Sequence, residues 1–300
     1  MARPYFISLC FGVFAAFLMG LNSVFVRYLT ADMHGLQIAV FRLWIACGVI
    51  YCLLKLAGHK FSIFPYNRYH CLAVAGFTLN YITFHIGLES TGATNAMVLE
   101  NTAPFFVLLM LVVARLEKVR WSDGVATFLA LTGVYLTVRH DFEIGTSGQI
   151  GDLWELGAGL SWAMFTIGSA ASVKQTRSTM DRMAVLLKIL LPCGLVLTPS
   201  LALYPLSVDV TDVSVLLTLG VFSTALGYFL WYEAMTGVSS ITASLLVVLS
   251  VVFTFVVAFF ALDEQITRDM LIGASLIILG VILPGLVQGQ SQKTAADETG

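Results

Sequence analysis

The sequence predicts an all-α integral membrane protein with ten transmembrane helices, arranged as two inverted five-helix repeats. Three observations carry this prediction: the composition, the spacing of the apolar segments and an internal repeat. The chain is 58% hydrophobic and only 11% charged, with a mean hydropathy of +0.88, whereas a soluble domain carries about 25% charged residues. Such a chain could not cover a water-facing surface, so the lipid bilayer is its expected environment.

The apolar segments have the length of membrane-spanning helices, for which about 20 mostly apolar residues are needed. The predicted helices cover residues 5–28, 36–56, 70–89, 94–114, 122–139, 151–172, 182–203, 213–234, 239–261 and 269–288. The longest connections, 57–69 and 140–150, are too short for a soluble domain. The first apolar run is long for a signal peptide and no small-residue cleavage site follows it, so it is predicted as the first membrane helix.

An internal repeat divides the chain into two halves. The stretch from Tyr81 to Leu136 aligns without a gap with the stretch from Tyr228 to Leu283, and the turns and the Glu-bearing polar break fall in the same places. A repeat of this length indicates two similar halves. We therefore assign residues 1–140 to the first five-helix repeat, 150–288 to the second, and 289–300 to a disordered cytoplasmic tail.

The distribution of Lys and Arg predicts the orientation. If the N-terminus is cytoplasmic and ten helices alternate, eleven of these residues lie on the inner side and three on the outer side, as the positive-inside rule expects. Both termini are then cytoplasmic, and a bacterial inner membrane is the expected location. Because each half has five helices, the second half enters the membrane from the opposite side, which is typical of secondary transporters.

The sequence lacks the motifs that are typical of several other function classes. The five cysteines all lie in apolar segments and none forms a C-x-x-C pair, so neither a metal site nor a disulfide framework is expected. The chain has no Walker A, H-E-x-x-H or G-x-S-x-G motif and no basic cluster for nucleic acid. We therefore expect no enzyme activity, no cofactor and no nucleic-acid partner.

Four stretches resemble segments of the drug/metabolite transporter superfamily, EamA type. GDLWELGAGLSWAMFTIGSA (151–170) resembles its sixth helix, LGVFSTALGYFLWYEAMTGVSSITASLL (219–246) its eighth and ninth, ATNAMVLENTAPFFVLLMLVVARLEK (93–118) its fourth, and FRLWIA (41–46) the start of its second. The resemblance implies a ten-helix carrier with a central pocket formed mainly by helices 1, 3, 4, 6, 8 and 9. It also implies transport of amino acids, nucleotide sugars or related polar metabolites, often outward.

The sequence departs from this family pattern in two places. Ser250 and Val251 stand where the ninth helix usually has Glu-Pro, and Glu100 and Asn101 stand where the fourth helix usually has small or apolar residues. The polar chemistry is thus concentrated in the fourth helix, and Glu100 and Asn101 are candidate substrate-binding residues.

Four ionisable residues lie well inside predicted helices, where a charge costs about 2.5–3.5 kcal/mol on insertion scales and tends to face a cavity. They are Arg42, His85, Glu100 and Lys188. Arg42 and Lys188 occupy matching positions in the two halves, and the inverted topology puts Arg42 toward the outside and Lys188 toward the inside. Either could hold a substrate carboxylate, and snorkelling to a lipid headgroup is the alternative for both.

The third helix supplies a candidate for proton transfer. His85 follows Tyr81 by one helical turn, so both lie on one face and both are candidate substrate-binding residues. A His beside a buried carboxylate can relay protons near neutral pH, so His85 and Glu100 are candidates for proton coupling. A hydrogen bond across helices without a transport role is the alternative for His85.

Two prolines are candidate hinges. Pro104 stands four residues after Glu100, and Pro192 stands four residues after Lys188. Because a helical proline has no N–H for the carbonyl four residues earlier, each of these carbonyls loses its partner. Simple bends with structurally paired charges are the alternative.

Uncharged polar and aromatic residues complete the predicted site. Asn22 offers two donors and an acceptor without charge. Trp162, Tyr228 and Trp231 are candidates for an aromatic wall beside the substrate, and packing at lipid or the membrane interface is the alternative.

The resulting hypothesis is a secondary active transporter that exports a small polar metabolite by alternating access. An amino acid or amino-acid derivative, for example an opine-type metallophore, fits best, since Glu100 could meet an ammonium and Arg42 or Lys188 a carboxylate. A passive channel and, less favoured, an intramembrane enzyme are the alternatives. The expected partners are the substrate, the bilayer and coupling protons, and the chain is expected as a monomer or homodimer.

Overall fold

Every regular element that the structure describes is helical. The computed structural model describes residues 4–90, 93–139, 149–206, 208–262 and 266–297. Its α-helices are α1 (Tyr5–Leu29), α2 (Gly35–Leu56), α3 (Arg68–Ser90), α4 (Ala93–Glu100), α5 (Ala103–Ala114), α6 (Trp121–Val138), α7 (Gln149–Val173), α8 (Thr179–Leu197), α9 (Val210–Thr218), α10 (Gly227–Ala234), α11 (Ser240–Leu262) and α12 (Arg268–Asp297). A 3-10 helix (Thr198–Ala202) follows α8, and a π-helical segment (Leu219–Leu226) joins α9 to α10.

Eight helical stretches in the described ranges are long and apolar enough to cross a membrane. They are Tyr5–Asn22, Gly35–Leu56, Ala96–Ala114, Gln149–Val173, Thr179–Ala202, Val210–Ala234, Ser240–Phe260 and Arg268–Val287. The prediction of a helical, multi-pass membrane protein is therefore confirmed. Helices α3 and α6 occupy the other two predicted segments, but neither is among the eight, so the count of ten spans stays a prediction. Helix α12 also continues to Asp297, past the predicted end of the last span.

The fourth predicted helix is broken in two. Helix α4 ends at Glu100, and α5 begins at Ala103 with Pro104 in its first turn, where a proline is well tolerated because that N–H has no partner inside the helix. Between them, the Asn101 side chain donates to the carbonyl of Met97 at 2.8 Å and the Thr102 hydroxyl donates to the carbonyl of Leu99 at 2.5 Å. These side-chain hydrogen bonds add to backbone ones, since the N–H groups of Asn101 and Thr102 also donate to the same two carbonyls, at 3.2 and 3.1 Å.

Helices from the two halves pack against each other in a reciprocal pattern. Helix α3 packs along α7, α6 along α12, α2 against α8, and α1 against α10 and α11. Small residues permit these close approaches. A methyl group on Gly133 of α6 would lie 2.6 Å from the carbonyl oxygen of Gly273 on α12, and one on Gly280 would lie 2.7 Å from that of Ala126. The glycines therefore fix the α6–α12 contact.

Ionic contacts lie near the turn between α10 and α11, the first within the second half and the second between the two halves. Arg182 forms two hydrogen bonds with the buried carboxylate of Glu233, at 2.6 and 3.0 Å. Glu117 pairs with Lys174 and also accepts hydrogen bonds from the backbone N–H and the hydroxyl of Ser240, at 3.1 and 2.7 Å. Burial raises the pKa of the Glu117 carboxyl, but Lys174 and Ser240 outweigh this effect, so the pKa lies below its ordinary value.

Candidate functional site

Arg42 of α2 is the centre of a buried polar cluster, here called the Arg42 cluster, with Asn22 of α1 and Thr224 of the π-helical segment. Its Nε donates to the Thr224 hydroxyl at 3.0 Å, and its guanidinium donates to Asn22 Oδ1 at 2.6 Å. The side chain is 8% exposed. Two residues that the sequence singled out, Asn22 and Arg42, are therefore in direct contact.

The π-helical segment positions the third member of this cluster. The Thr224 hydroxyl donates to the carbonyl of Leu219, five residues earlier, at 3.1 Å, which leaves its lone pairs to accept from Arg42. Single π turns are frequent at functional sites. No sequence signal predicted this segment, so Thr224 was missed.

The partners of Arg42 in the described residues are neutral. Neither Asn22 nor Thr224 carries a charge, and the ion pairs that the structure describes do not include Arg42. A buried cation without a counter-charge is costly and marks a site where an anion can bind.

A pair of tyrosines lies next to the Arg42 cluster. Tyr81 of α3 and Tyr228 of α10 are equivalent residues of the two repeats, both are buried, and their hydroxyl groups interact. The ring of Phe77 meets both edge-on, with centroids 5.0 and 5.4 Å away. Arg42 and Glu100 both act electrostatically on the two hydroxyls, so the tyrosine pair lies within electrostatic range of both charges.

The predicted aromatic wall is assembled, but its members differ. The ring of Trp162 lies 6.3 Å from that of Tyr228 and 6.0 Å from that of Trp231. Trp231 is fully buried and its indole N–H donates to the carbonyl of Ala243 at 2.9 Å, which is a structural contact. The indole nitrogen of Trp162 is buried and has no hydrogen-bond partner among the described residues, so its N–H is available within that part of the chain.

Glu100 ends α4 and belongs to a second cluster, here called the Glu100 cluster, with Asn80 and Glu155. The side-chain amide of Asn80 donates to Glu100 Oε1 at 3.2 Å and to the carbonyl of Ala158 at 3.1 Å. Glu100 is partly buried. Asn80, which the sequence analysis missed, thus joins α3 to both α4 and α7.

Glu155 is the second residue of this cluster that the sequence analysis missed. It is 0% exposed, and among the described residues neither carboxyl oxygen has a hydrogen-bond partner. It lies against Gly87 of α3 and interacts electrostatically with Glu100 and Asp152. The rule that ionisable groups inside membrane helices are functional candidates could have found it, but Glu155 stands near the start of a predicted helix, where an acid is expected to reach water.

Two other predicted site residues form no hydrogen bond with either cluster in the described part of the chain, although Arg42 acts electrostatically on His85. The His85 ring faces His34, with centroids 6.4 Å apart, and shares a face with Tyr81 at 6.3 Å, but the structure describes no hydrogen bond between His85 and Glu100. The Lys188 ammonium contacts the carbonyl of Pro65 at 3.4 Å. Neither His85 nor Lys188 contributes to the contacts of the Glu100 cluster.

The two prolines differ in their effect. Pro104 coincides with the break between α4 and α5, whereas α8 continues through Pro192. The Tyr66 hydroxyl donates to the carbonyl of Lys188 at 2.9 Å, so a side chain replaces the hydrogen bond that Pro192 cannot make. The amide of Asn101 is bound to the backbone of its own turn.

The site offers hydrogen-bonding groups and charges rather than metal ligands. Within the described ranges, no group of three or more His, Cys, Asp or Glu residues is placed to hold a metal ion. Two surface depressions, of about 500 and 390 Å³, are lined by residues between 111 and 119 and between 6 and 17, away from both clusters.

Comparison with known proteins gives matches along most of the chain. The family model described as "EamA-like transporter family" matches residues 6–139 and 149–285. An "Uncharacterized transporter" of Archaeoglobus fulgidus is 29% identical over 274 residues, covering 90% of this chain and 94% of that protein. An "S-adenosylmethionine uptake transporter" of Rickettsia bellii is 23% identical over 257 residues, covering 86% of each. One solved crystal structure has the same fold, with a TM-score of 0.79 and 15% identity, over 93% of this chain and 96% of that chain.

Proposed function

Because the chain belongs to the EamA-like transporter family, we propose that it is a secondary active transporter for a small zwitterionic metabolite, an amino acid or amino-acid derivative. The family and the named relatives are transporters, so the protein is a membrane transporter and not an enzyme. The proposal concerns what it moves, in which direction and by which residues.

One observation carries the choice of substrate class. Arg42 and Glu100 are opposite charges inside the bundle, and the hydrogen bonds described for each involve only neutral groups. Leaving such charges uncompensated is costly, and a substrate that carries both a carboxylate and an ammonium would compensate both at once. In this proposal Arg42 binds the carboxylate, Glu100 binds the ammonium, and Trp162 and the Tyr81–Tyr228 pair line the space between.

The names of relatives agree with this class. S-adenosylmethionine, the substrate named for two relatives from Rickettsia, is an amino-acid derivative with a carboxylate and an ammonium group. An opine-type metallophore carries the same groups. The proposed direction is export, and this choice rests on the family resemblance. Two relatives are named for uptake, so the direction of transport must be measured.

The proposed mechanism is alternating access by two inverted five-helix repeats within ten spans. The reciprocal packing of α3 on α7, α6 on α12 and α1 on α10 and α11 supports this arrangement, since equivalent helices exchange partners across the halves. The proposed location is a bacterial inner membrane with both termini cytoplasmic. Reporter fusions at each terminus test the orientation, and an outward-facing reporter at either end contradicts it.

Counterflow in proteoliposomes tests the function. Purified protein would be reconstituted with unlabelled S-adenosylmethionine or a single unlabelled amino acid inside, and entry of the same labelled compound would be followed. A carrier gives transient accumulation above equilibrium, whereas a passive channel gives none. We expect Arg42→Gln and Glu100→Gln to abolish accumulation and the control Arg139→Gln, at an exposed ion pair with Asp269, to preserve it.

Comparison of cells that lack and overproduce the protein would identify the substrate and the direction. We expect a zwitterionic metabolite to rise outside the overproducing cells and to rise inside the deficient cells. If no such compound changes sides in either strain, the export proposal is wrong for those conditions. If it accumulates inside the overproducing cells, the protein is an importer.

A further inference from the structure

Glu155 is a buried acid that the proposed substrate contacts do not use. Its side chain is 0% exposed, and both of its oxygens lack a hydrogen-bond partner in the part of the chain that the structure describes. An ionised carboxylate in such surroundings is strongly disfavoured unless it is paired. The acidic residues described as acting on it are Glu100 and Asp152, which add negative charge rather than compensate it.

The surroundings of Glu155 favour a proton over a metal ion as the compensating charge. Helix α3 contributes Gly87, which the carboxyl group approaches closely, and no titratable side chain of α3 is described as acting on Glu155. Glu89, also on α3, has a side chain outside the described residues. Helix α4 contributes Glu100. A hard metal ion needs several oxygen ligands, and the described residues contain no group placed to supply them.

The same residues join the short helix α4 to α7. Glu155 and Gly159 lie one turn apart on α7, and a methyl group on Gly159 would be 3.0 Å from the carbonyl oxygen of Leu99 and 3.1 Å from that of Glu100. Asn80 bridges Glu100 and the carbonyl of Ala158. Because the Asn101–Thr102 turn separates α4 from α5, α4 is a short element held largely by these contacts with α7 and α3.

We propose that Glu155 and Glu100 form a carboxyl pair that binds one proton, and that this proton holds α4 against α7. With the proton bound, the pair carries one negative charge. Without it, both carboxylates are charged at membrane depth and repel, as in other interacting carboxyl pairs, and α4 separates from α7. The proton is exchanged with water when α4 moves away.

This pair also links proton movement to transport, a step that rests on the proposed function. The ammonium group of a substrate at Glu100 supplies the same positive charge as the proton. Substrate and proton therefore compensate the pair alternately, one moving outward as the other moves inward. The structure assigns this role to Glu155 with Glu100, whereas His85 faces His34.

Infrared difference spectroscopy tests the proton site without any substrate. The protein in lipid would be titrated with acid and base, and the carbonyl stretch of protonated carboxylic acids would be recorded. We expect a band that titrates in the wild type, disappears in Glu155→Gln and shifts its titration midpoint in Glu100→Gln. The matched control Glu117→Gln removes an acid that is already paired with Lys174 and should leave this band unchanged. A band unchanged in both Glu155→Gln and Glu100→Gln overturns the proposal.

A transport assay distinguishes failure of the proton-site proposal from failure of the proposed function. In proteoliposomes with an imposed pH gradient, we expect wild type to accumulate labelled S-adenosylmethionine or a labelled amino acid, and Glu155→Gln to keep counterflow while its accumulation ratio falls to about one. Accumulation equal to wild type overturns the proton role. If Glu155→Gln fails to fold, the folded variant Glu155→Asp, which keeps the acid, must still show the titrating infrared band. If the band behaves as expected but neither compound exchanges in wild type, the proton site stands and the substrate proposal fails.

Discussion

The two copies of the repeat differ most in one helix. Helix α11 runs without interruption from Ser240 to Leu262, whereas its counterpart in the first copy is broken into α4 and α5. Where the first copy has Glu100, Asn101 and Pro104, the second has valines, which are buried or partly buried in the core. The comparison teaches that two similar halves can differ in backbone and charge when a few residues in one copy interrupt the helix and add a carboxylate.

A second pair of equivalent helices also differs, but here the irregular helix is in the second copy. Helix α3 is a continuous α-helix, whereas its counterpart in the second copy contains the π-helical segment that aims Thr224 at Arg42. Each copy therefore departs from regular α-helix beside one of the two clusters, and the second copy also has the 3-10 helix that follows α8. The regular helices hold these departures in place.

The largest expected effect is a difference in transport between variants of the two equivalent basic residues, Arg42 and Lys188. Arg42 lies in the buried cluster and Lys188 contacts a loop carbonyl, so Arg42→Gln should lower kcat/KM for counterflow by about 100-fold, since loss of a buried charge partner costs about 2–5 kcal/mol. Lys188→Gln should change it by less than about threefold. Equal losses in the two variants would show that the site spans both halves.

Introducing the proline of one copy into the other should have the next largest effect. Val251→Pro would remove a hydrogen bond inside α11 and clash with the preceding turn, lowering stability by about 3 kcal/mol or more. The reverse change, Pro104→Val, should leave stability unchanged or higher. Thermal unfolding in detergent measures both, and a tolerated Val251→Pro would show that α11 is as easily broken as the first copy.

A smaller effect concerns the proline that does not break its helix. Tyr66→Phe removes the donor to the Lys188 carbonyl and should cost about 1 kcal/mol. In a Pro192→Ala background the cost should nearly vanish, because the backbone N–H that this substitution restores can then pair with that carbonyl. This double-mutant cycle isolates the interaction, and an equal cost in both backgrounds would contradict the explanation.

The smallest expected effect depends on pH. The pKa of Glu117 is lowered in the folded state, so its contribution to stability is present above the unfolded pKa, about 4.3, and is lost as pH falls through the folded value. Stability measured between neutral and acidic pH should therefore decline less in Glu117→Gln than in wild type. Repeating this with Glu264→Gln, whose position lies outside the described residues, would compare the two copies directly.

The sequence predicted the helices and singled out several residues of the two buried clusters because these signals are local. Apolar length places membrane helices, and the pattern of lone charges identified Arg42 and Glu100. The contact between Arg42 and Asn22 joins two residues chosen separately, but their meeting with Thr224 depends on the π-helical segment, for which no sequence signal was found.

The pairing of acidic residues could not be predicted because it depends on which faces meet. Asn80 and His85 are five residues apart on α3, so they point in different directions, and Asn80 meets Glu100 while His85 meets His34. Glu155 is buried only because Gly87 leaves room for it and α4 lies beside it. Such burial is a property of three helices together.

The contact of Glu117 with Ser240 has a consequence for the kinetics of the protein. A carboxylate from the first half binds the N–H at the start of α11 in the second half, and Lys174 neutralises it. If the halves part at this end, the first turn of α11 loses an acceptor and the carboxylate loses its cation. Since these groups lie where dissolved ions can screen them, we expect the rate of opening at this end, followed by a fluorescent label, to increase with ionic strength.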